Sequence, residues 1–166
     1  MPEDIPDESG EFENPPDFFP YKEPSPIDDH PGDYGEPVEV QVEAVFMTQS
    51  GDQIQRFVLL SDGDRKLPIV IGPFEATSIT LALEGPLPDR PMTHDLMKNI
   101  LEKMDVNIDR VVIDDLWGST YYAKLYLTHG DTEVEIDSRP SDAIALAVRF
   151  DATIYVADGI LEHASS

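Results

Sequence analysis

The chain has 166 residues, 40% of them hydrophobic, and no cysteine, which suffices for one buried core and excludes disulfides, thiolate metal sites and cysteine nucleophiles. Its formal charge of −23 runs against the basic surface that drives non-specific nucleic-acid binding. No apolar run reaches the ~20 residues of a membrane span, and the acidic N-terminus carries no basic-then-apolar signal, so a cytoplasmic protein with no membrane partner is expected.

Residues 1–36 hold eight prolines, twelve acids and a single lysine, Lys22. Such a segment buries too little to offset its ordering entropy, and a disordered acidic tail is expected. It is either a plain solubilising tail or, through Phe12, Phe18, Phe19, Tyr21 and Tyr34, a docking segment for a basic partner. The other 22 acids and 10 basic residues leave the rest of the chain at −12.

A folded domain is expected over residues 37–160, with residues 161–166 as a C-terminal tail. Val38, Val40, Val42, Ala44 and Phe46 alternate with polar residues, the period of a strand. Ser50-Gly51-Asp52 turns the chain into a return strand over 54–60, and Asp62-Gly63 into a third over 66–71. Leu67, Ile69, Val70 and Ile71 place apolar groups on both faces of that third strand, predicting cover on both sides. Pro68 favours its start or an edge. Gly72-Pro73 then opens a helix over 74–83. After the prolines at 86–91, Thr93 suits an N-cap for a helix running to about Met104, with an apolar face of Leu96, Met97, Ile100, Leu101 and Met104.

The first order of elements then repeats. Strands are predicted over 109–116, 121–128 and 133–136, followed by a helix whose apolar positions include Ala143, Ile144, Ala147, Val148 and Phe150. A shift of 65 residues carries Ile71 onto Ile136, Ile79 onto Ile144 and Ala82 onto Ala147. Two tandem β-β-β-α units, an internal duplication, account for this. A short strand at 154–156 and a helical turn at 159–163 complete the chain. The fold class is α+β: a mixed, mostly antiparallel sheet with helices packed on it.

The duplication allows one copy to be compared with the other. The first strand–helix junction, Gly72-Pro73-Phe74-Glu75-Ala76-Thr77, is mostly apolar. The second, Asp137-Ser138-Arg139-Pro140-Ser141-Asp142, is polar throughout. A helix N-terminus with free amides, the Ser138 and Ser141 hydroxyls and Arg139 suits a phosphate. Asp137 and Asp142 suit a divalent cation such as Mg or Mn, or an oriented water. The alternative is structural: serine and aspartate cap the helix, and Arg139 pairs with a nearby carboxylate. A second cluster is Arg90 with Thr93-His94-Asp95, where His94 is placed to act as general base or ligand, or else only packs at a capping turn. Asp114 and Asp115 are either turn residues or further carboxylates of a site. His30, His129 and His163 form no recognisable ligand cluster.

Leu67-Pro68-Ile69-Val70-Ile71-Gly72 with Glu75-Ala76, Arg90-Pro91-Met92-Thr93-His94-Asp95-Leu96, and the run from Ile136 to Ala147 together closely resemble the bifunctional nuclease domain family over about residues 38–156. The acidic N-terminal extension lies outside that pattern. The resemblance implies cleavage of DNA and RNA. It also lends weight to Glu75, Arg90, Thr93, His94, Asp95, Asp137, Ser138, Arg139, Ser141 and Asp142 as a shared polar set. Within that set, His94, Asp95, Asp137 and Asp142 are expected to carry the chemistry. Arg139, Ser138, Ser141, Arg90 and Thr93 would hold substrate, and Glu75 would join Asp137 and Asp142 on a metal. The competing expectation, favoured by the charge, is a non-catalytic regulatory module, with homodimerisation as the default assembly.

Overall fold

A computed structural model describes residues 33–165. The expectations for residues 1–32, the aromatic docking segment included, and for Ser166 lie outside these residues. The elements in order are β1 (Pro37–Ser50), β2 (Gln53–Ser61), β3 (Lys66–Ile71), α1 (Pro73–Glu84), α2 (Thr93–Lys103), β4 (Asn107–Trp117), β5 (Thr120–His129), β6 (Thr132–Ser138), α3 (Pro140–Phe150), β7 (Thr153–Ala157) and α4 (Asp158–Ala164).

The seven strands form one sheet in the order β3-β2-β1-β7-β4-β5-β6. Every pairing is antiparallel except β4 with β7. The two β-β-β-α units therefore flank β7 in mirrored order. β1 serves both sides: residues 37–40 pair with β7 and residues 41–50 with β2, with a register irregularity between Val42 and Ala44. At the tip of the β4–β5 hairpin, Gly118 and Ser119 both take positive φ, the backbone that a two-residue turn needs to match the strand twist.

One face of the sheet buries Val58, Leu60, Leu67, Ile69, Val111, Ile113 and Ala123 against the helices. α3 is central: Ala143 through Ala147 are all buried. The alanines let α1 and the sheet approach closely, while Ile144 and Leu146 fill the space between, each stabilising by roughly 1.5–3 kcal/mol. The start of the described chain is tied down as well. Tyr34 donates its hydroxyl to the Leu116 carbonyl at 2.9 Å, and the Gly159 amide donates to the Tyr34 carbonyl at 2.6 Å. Residues 33–36, counted with the tail above, thus belong to the fold.

Four expectations change. β3 is an edge strand covered on one face only: Leu67, Ile69 and Ile71 are buried, while Val70 is 60% exposed. Pro68 sits in it because an edge strand needs no donor on its open side. β6 is the opposite edge, and no helix covers it, so Val134 and Ile136 stay about half exposed despite their alternation. The N-cap of α2 is Met92 rather than Thr93. Asp95 reaches back to accept the Met92 amide at 3.0 Å, which does the capping work that Thr93 was expected to do. The apolar residues of α2 also face largely outward: Leu96, Met97, Ile100 and Met104 are exposed, and His94 is the residue this helix buries.

Candidate active site at the two helix starts

The strand–helix junctions of the two units meet. Glu75, in the first turn of α1, accepts a hydrogen bond from Arg139 Nη2 at 3.1 Å. Arg139, the N-cap of α3, also reaches into its own first turn. Its Nε donates to Asp142 Oδ2 at 2.8 Å, and Nη2 lies 2.7 Å from the same oxygen. The remaining oxygen, Asp142 Oδ1, lies 2.9 Å from His94 Nε2. On the far side of the ring, His94 Nδ1 lies 2.8 Å from the Ser78 hydroxyl of α1. One continuous chain of polar contacts therefore runs from Ser78 through His94, Asp142 and Arg139 to Glu75, linking α1, α2 and α3.

The chemistry of each group follows from its contacts. A neutral imidazole accepts at one nitrogen and donates at the other. With the Ser78 hydroxyl donating to Nδ1 and Nε2–H donating to Asp142, every group in the buried half is satisfied. The order superficially resembles a serine–histidine–aspartate triad, but Ser78 is 3% exposed and holds no position from which to attack a substrate. Its role is to orient the ring. Asp142 foremost, with Glu75 in support, raises the Arg139 guanidinium above its usual range.

Asp95 belongs to a neighbouring tie. Arg149 of α3 donates from Nε to Asp95 Oδ1 at 2.7 Å, from Nη1 to the Ala145 carbonyl at 2.8 Å and from Nη2 to the Ser78 carbonyl at 3.2 Å. Burial pushes the Asp95 carboxyl up, but Arg149 and the Met92 amide outweigh it and hold the group below its ordinary value. This pair fastens α2 onto α3 and α1. Arg149 was not anticipated; a basic residue in the last turn of a helix reads as a solvated group until its neighbours are known.

A cleft of about 840 Å³ opens beside the exposed end of the network, with Gly72, Glu75, Tyr121, Arg139, Ser141 and His163 among its lining residues. Its volume is in the range of small-ligand sites. The first turns of both α1 and α3 open on it. The Asp142 and Ala143 amides turn back onto the Arg139 carbonyl, and Pro140 has no amide hydrogen, so the Ser141 N–H is the free donor of that turn. The Ser141 hydroxyl lines the cleft from a residue only 8% exposed and makes no hydrogen bond among the described residues. Arg139 is 68% exposed along its side chain, and its Nη1 carries none of the contacts above.

The other expected residues stand apart. Asp137 is paired with Lys124 across β5 and β6. Because successive strand residues alternate faces, it lies on the face opposite Ser138 and α3, alongside Glu135 and the Lys124–Asp114 ion pair at 3.1 Å. Ser138 Oγ donates to the Arg139 carbonyl at 3.0 Å. Arg90 and Thr93 are exposed and join none of these hydrogen bonds. Asp115 accepts the Leu116 amide at 2.7 Å in its own strand. The carboxylates expected to share a metal are thus divided: Asp137 is on another face, while Glu75 and Asp142 are bridged by Arg139, which fills the place a cation would take. Among the described residues no group of three or more histidine, aspartate and glutamate side chains is placed to hold a metal ion. In this arrangement the residues do not fit an Mg or Mn centre.

Residues 58–166 match the model of the bifunctional nuclease domain, which is well over half the chain. The chain belongs to the bifunctional nuclease domain family. An uncharacterized protein of Mycobacterium tuberculosis is 36% identical over 126 residues, covering 76% of this chain and 75% of that protein. Rice (Oryza sativa subsp. indica) Bifunctional nuclease 1 is 32% identical over 101 residues, 58% of this chain and 30% of its own length. Arabidopsis thaliana Bifunctional nuclease 2 is 32% identical over 93 residues, 54% of this chain and 28% of its own length. The plant proteins are thus much longer than the region they share with this chain. The family match spans both junctions, α2 and the cleft.

Proposed function

We propose that the chain hydrolyses phosphodiester bonds of nucleic acid, holding one backbone phosphate in the cleft where α1 and α3 begin. The observation that carries this reading is Ser141. Its hydroxyl makes no hydrogen bond to the described residues and opens on the solvent-filled cleft, so it is free to donate to and accept from a ligand there. It stands at the N-terminus of an 11-residue helix, beside an exposed guanidinium, and a phosphate would take the Ser141 hydroxyl, the Ser141 amide and Arg139 Nη1 together. Family membership supports the same conclusion. His94 and Asp142 act behind this point: they fix the Arg139 fork and keep it aimed along the cleft wall.

The acidity of the chain sets the mode of binding. Glu75 and Asp142 together outweigh the charge of Arg139, so the cleft does not attract a polyanion at long range. One phosphate contact on a single strand gives a salt slope of about −0.7 in log K against log salt, far shallower than for a protein that neutralises a run of phosphates. The test is cleavage of fluorescently labelled RNA and DNA oligonucleotides by the full chain, with EDTA and with added Mg²⁺ or Mn²⁺ in parallel. Arg139→Ala is expected to abolish cutting and Ser141→Ala to raise KM. Equal cutting by wild type and Arg139→Ala would reject the assignment.

A second reading, a non-catalytic module that assembles with itself, draws on the outward apolar face of α2 at Leu96, Met97, Ile100 and Met104. Under that reading no oligonucleotide is cut under any metal condition. Sedimentation would show a dimer that Ile100→Glu converts to monomer.

A further inference from the structure

The phosphate site described above leaves the proton unaccounted for. His94 is the histidine that sequence position favours, yet it is 8% exposed and both of its ring nitrogens are engaged, one by Ser78 and one by Asp142. Glu75 and Asp142 are each committed to Arg139. Burial raises Tyr121 above its ordinary value, so at neutral pH its phenol donates rather than accepts. The remaining titratable group on the cleft wall is His163 of α4, which is exposed and makes no hydrogen bond or ion pair among the described residues.

We propose that His163 is the general base of the reaction, a role that rests on the hydrolase reading given above. α4 is held in place at its N-terminal end. Asp158, its first residue, binds Arg65 Nη1 of the β2–β3 turn at 2.8 Å, and Gly159 binds the Tyr34 carbonyl. A methyl group at Gly159 would sit 3.0 Å from that carbonyl oxygen, so the approach is close. α4 also packs beside β3, whose residues line the cleft, and His163 lines the same cleft as Arg139 and Ser141. One imidazole nitrogen accepts a proton from water as the water oxygen forms its bond to phosphorus. The P–O bond to the leaving oxygen breaks, that oxygen takes a proton from solvent, and the imidazolium returns its own to solvent. General-base assistance of this kind contributes about 10²–10⁴-fold. A motif-based reading passes over His163, because nothing next to it in sequence is polar in a way that suggests a site; only the fold brings it to the cleft.

The experiment is the pH dependence of oligonucleotide cleavage by full-length wild type and His163→Gln, with a parallel footprint by diethyl pyrocarbonate and peptide mass spectrometry. The expected result is a fall of about 10²–10⁴-fold in kcat with KM within threefold, and loss of the acidic limb that wild type shows. In wild type, carbethoxylation of His163 should track loss of activity, and bound oligonucleotide should slow it, while His94 resists. Active wild type with His163→Gln within threefold of it at every pH overturns the role of His163 and leaves the hydrolase reading standing. Wild type that cuts nothing, with a carbethoxylation rate at His163 indifferent to oligonucleotide, overturns both.

Discussion

Replacing Arg149 by methionine tests whether the three helices are fastened as described. The substitution keeps an apolar stem of similar length and removes the fork that reaches Asp95, the Ala145 carbonyl and the Ser78 carbonyl. The two carbonyls lie within helices, so the main loss is the ion pair. Breaking a buried pair by removing one partner costs about 3–5 kcal/mol. Here Arg149 is 6% exposed but Asp95 is 25% exposed, so water relieves part of the stranded charge and about 2–4 kcal/mol is expected. Urea denaturation followed by circular dichroism measures it, the midpoint falling at unchanged slope. A cycle with Asp95→Asn should return a coupling of about 1–2 kcal/mol. The acid limb gives a second readout. Because the folded Asp95 carboxyl lies below its ordinary value of about 3.9, its contribution is present above that unfolded value and lost as pH falls through the lower folded one. Asp95→Asn lacks this component. A loss under about 0.5 kcal/mol for Arg149→Met, or an acid limb unchanged in Asp95→Asn, would refute the reasoning.

Three further outcomes follow from named contacts. Ser78→Ala leaves His94 Nδ1 buried without its donor and is expected to cost about 1–2 kcal/mol, with the ring's ¹⁵N shifts reporting a changed tautomer balance; unchanged shifts would contradict the assigned orientation. Leu146→Ala empties a fully enclosed site in α3 and should cost about 2–5 kcal/mol in the same urea assay. Asp151 closes α3 with φ 54° and ψ 36°, so Asp151→Gly should stabilise by up to about 1 kcal/mol in thermal unfolding.

The fold was readable because two strong signals agreed: strict alternation in the strands and an order of elements that repeats at a fixed shift. Failures arose where alternation was taken as burial. Val134 and Ile136 keep the period and Val70 extends an apolar run, but all three lie on edge strands with an uncovered face, and strand order is a non-local property. Within the site, Arg139, Asp142, Glu75 and His94 were identifiable as polar residues at helix starts. Asp137 was misplaced for a simple reason: it is one residue from Ser138, and in a strand one residue is the other face. Ser78 was missed because a lone serine in an apolar helix carries no signal of its own. His163 was missed because its significance depends on where α4 packs.

The polar excess of the second junction divides into two parts when the copies are superposed by the 65-residue shift. Thr77 stands where Asp142 stands, and it is satisfied within its own helix, its hydroxyl donating to the Pro73 carbonyl at 2.9 Å. Ala76 stands where Ser141 stands and is buried. Phe74 stands where Arg139 stands and is 84% exposed. Asp142 is explained by α2, which falls between the two copies and turns His94 Nε2 onto it while Nδ1 meets Ser78 of α1; a carboxylate there answers the ring. That explanation does not extend to Ser141, whose hydroxyl opens on the cleft without a protein partner, nor to Arg139 Nη1, which points no bond at the protein. If packing alone had shaped this junction, alanine at 141 would serve as it does at 76. The unexplained remainder lies on the cleft, and a bound phosphate is what would complete it.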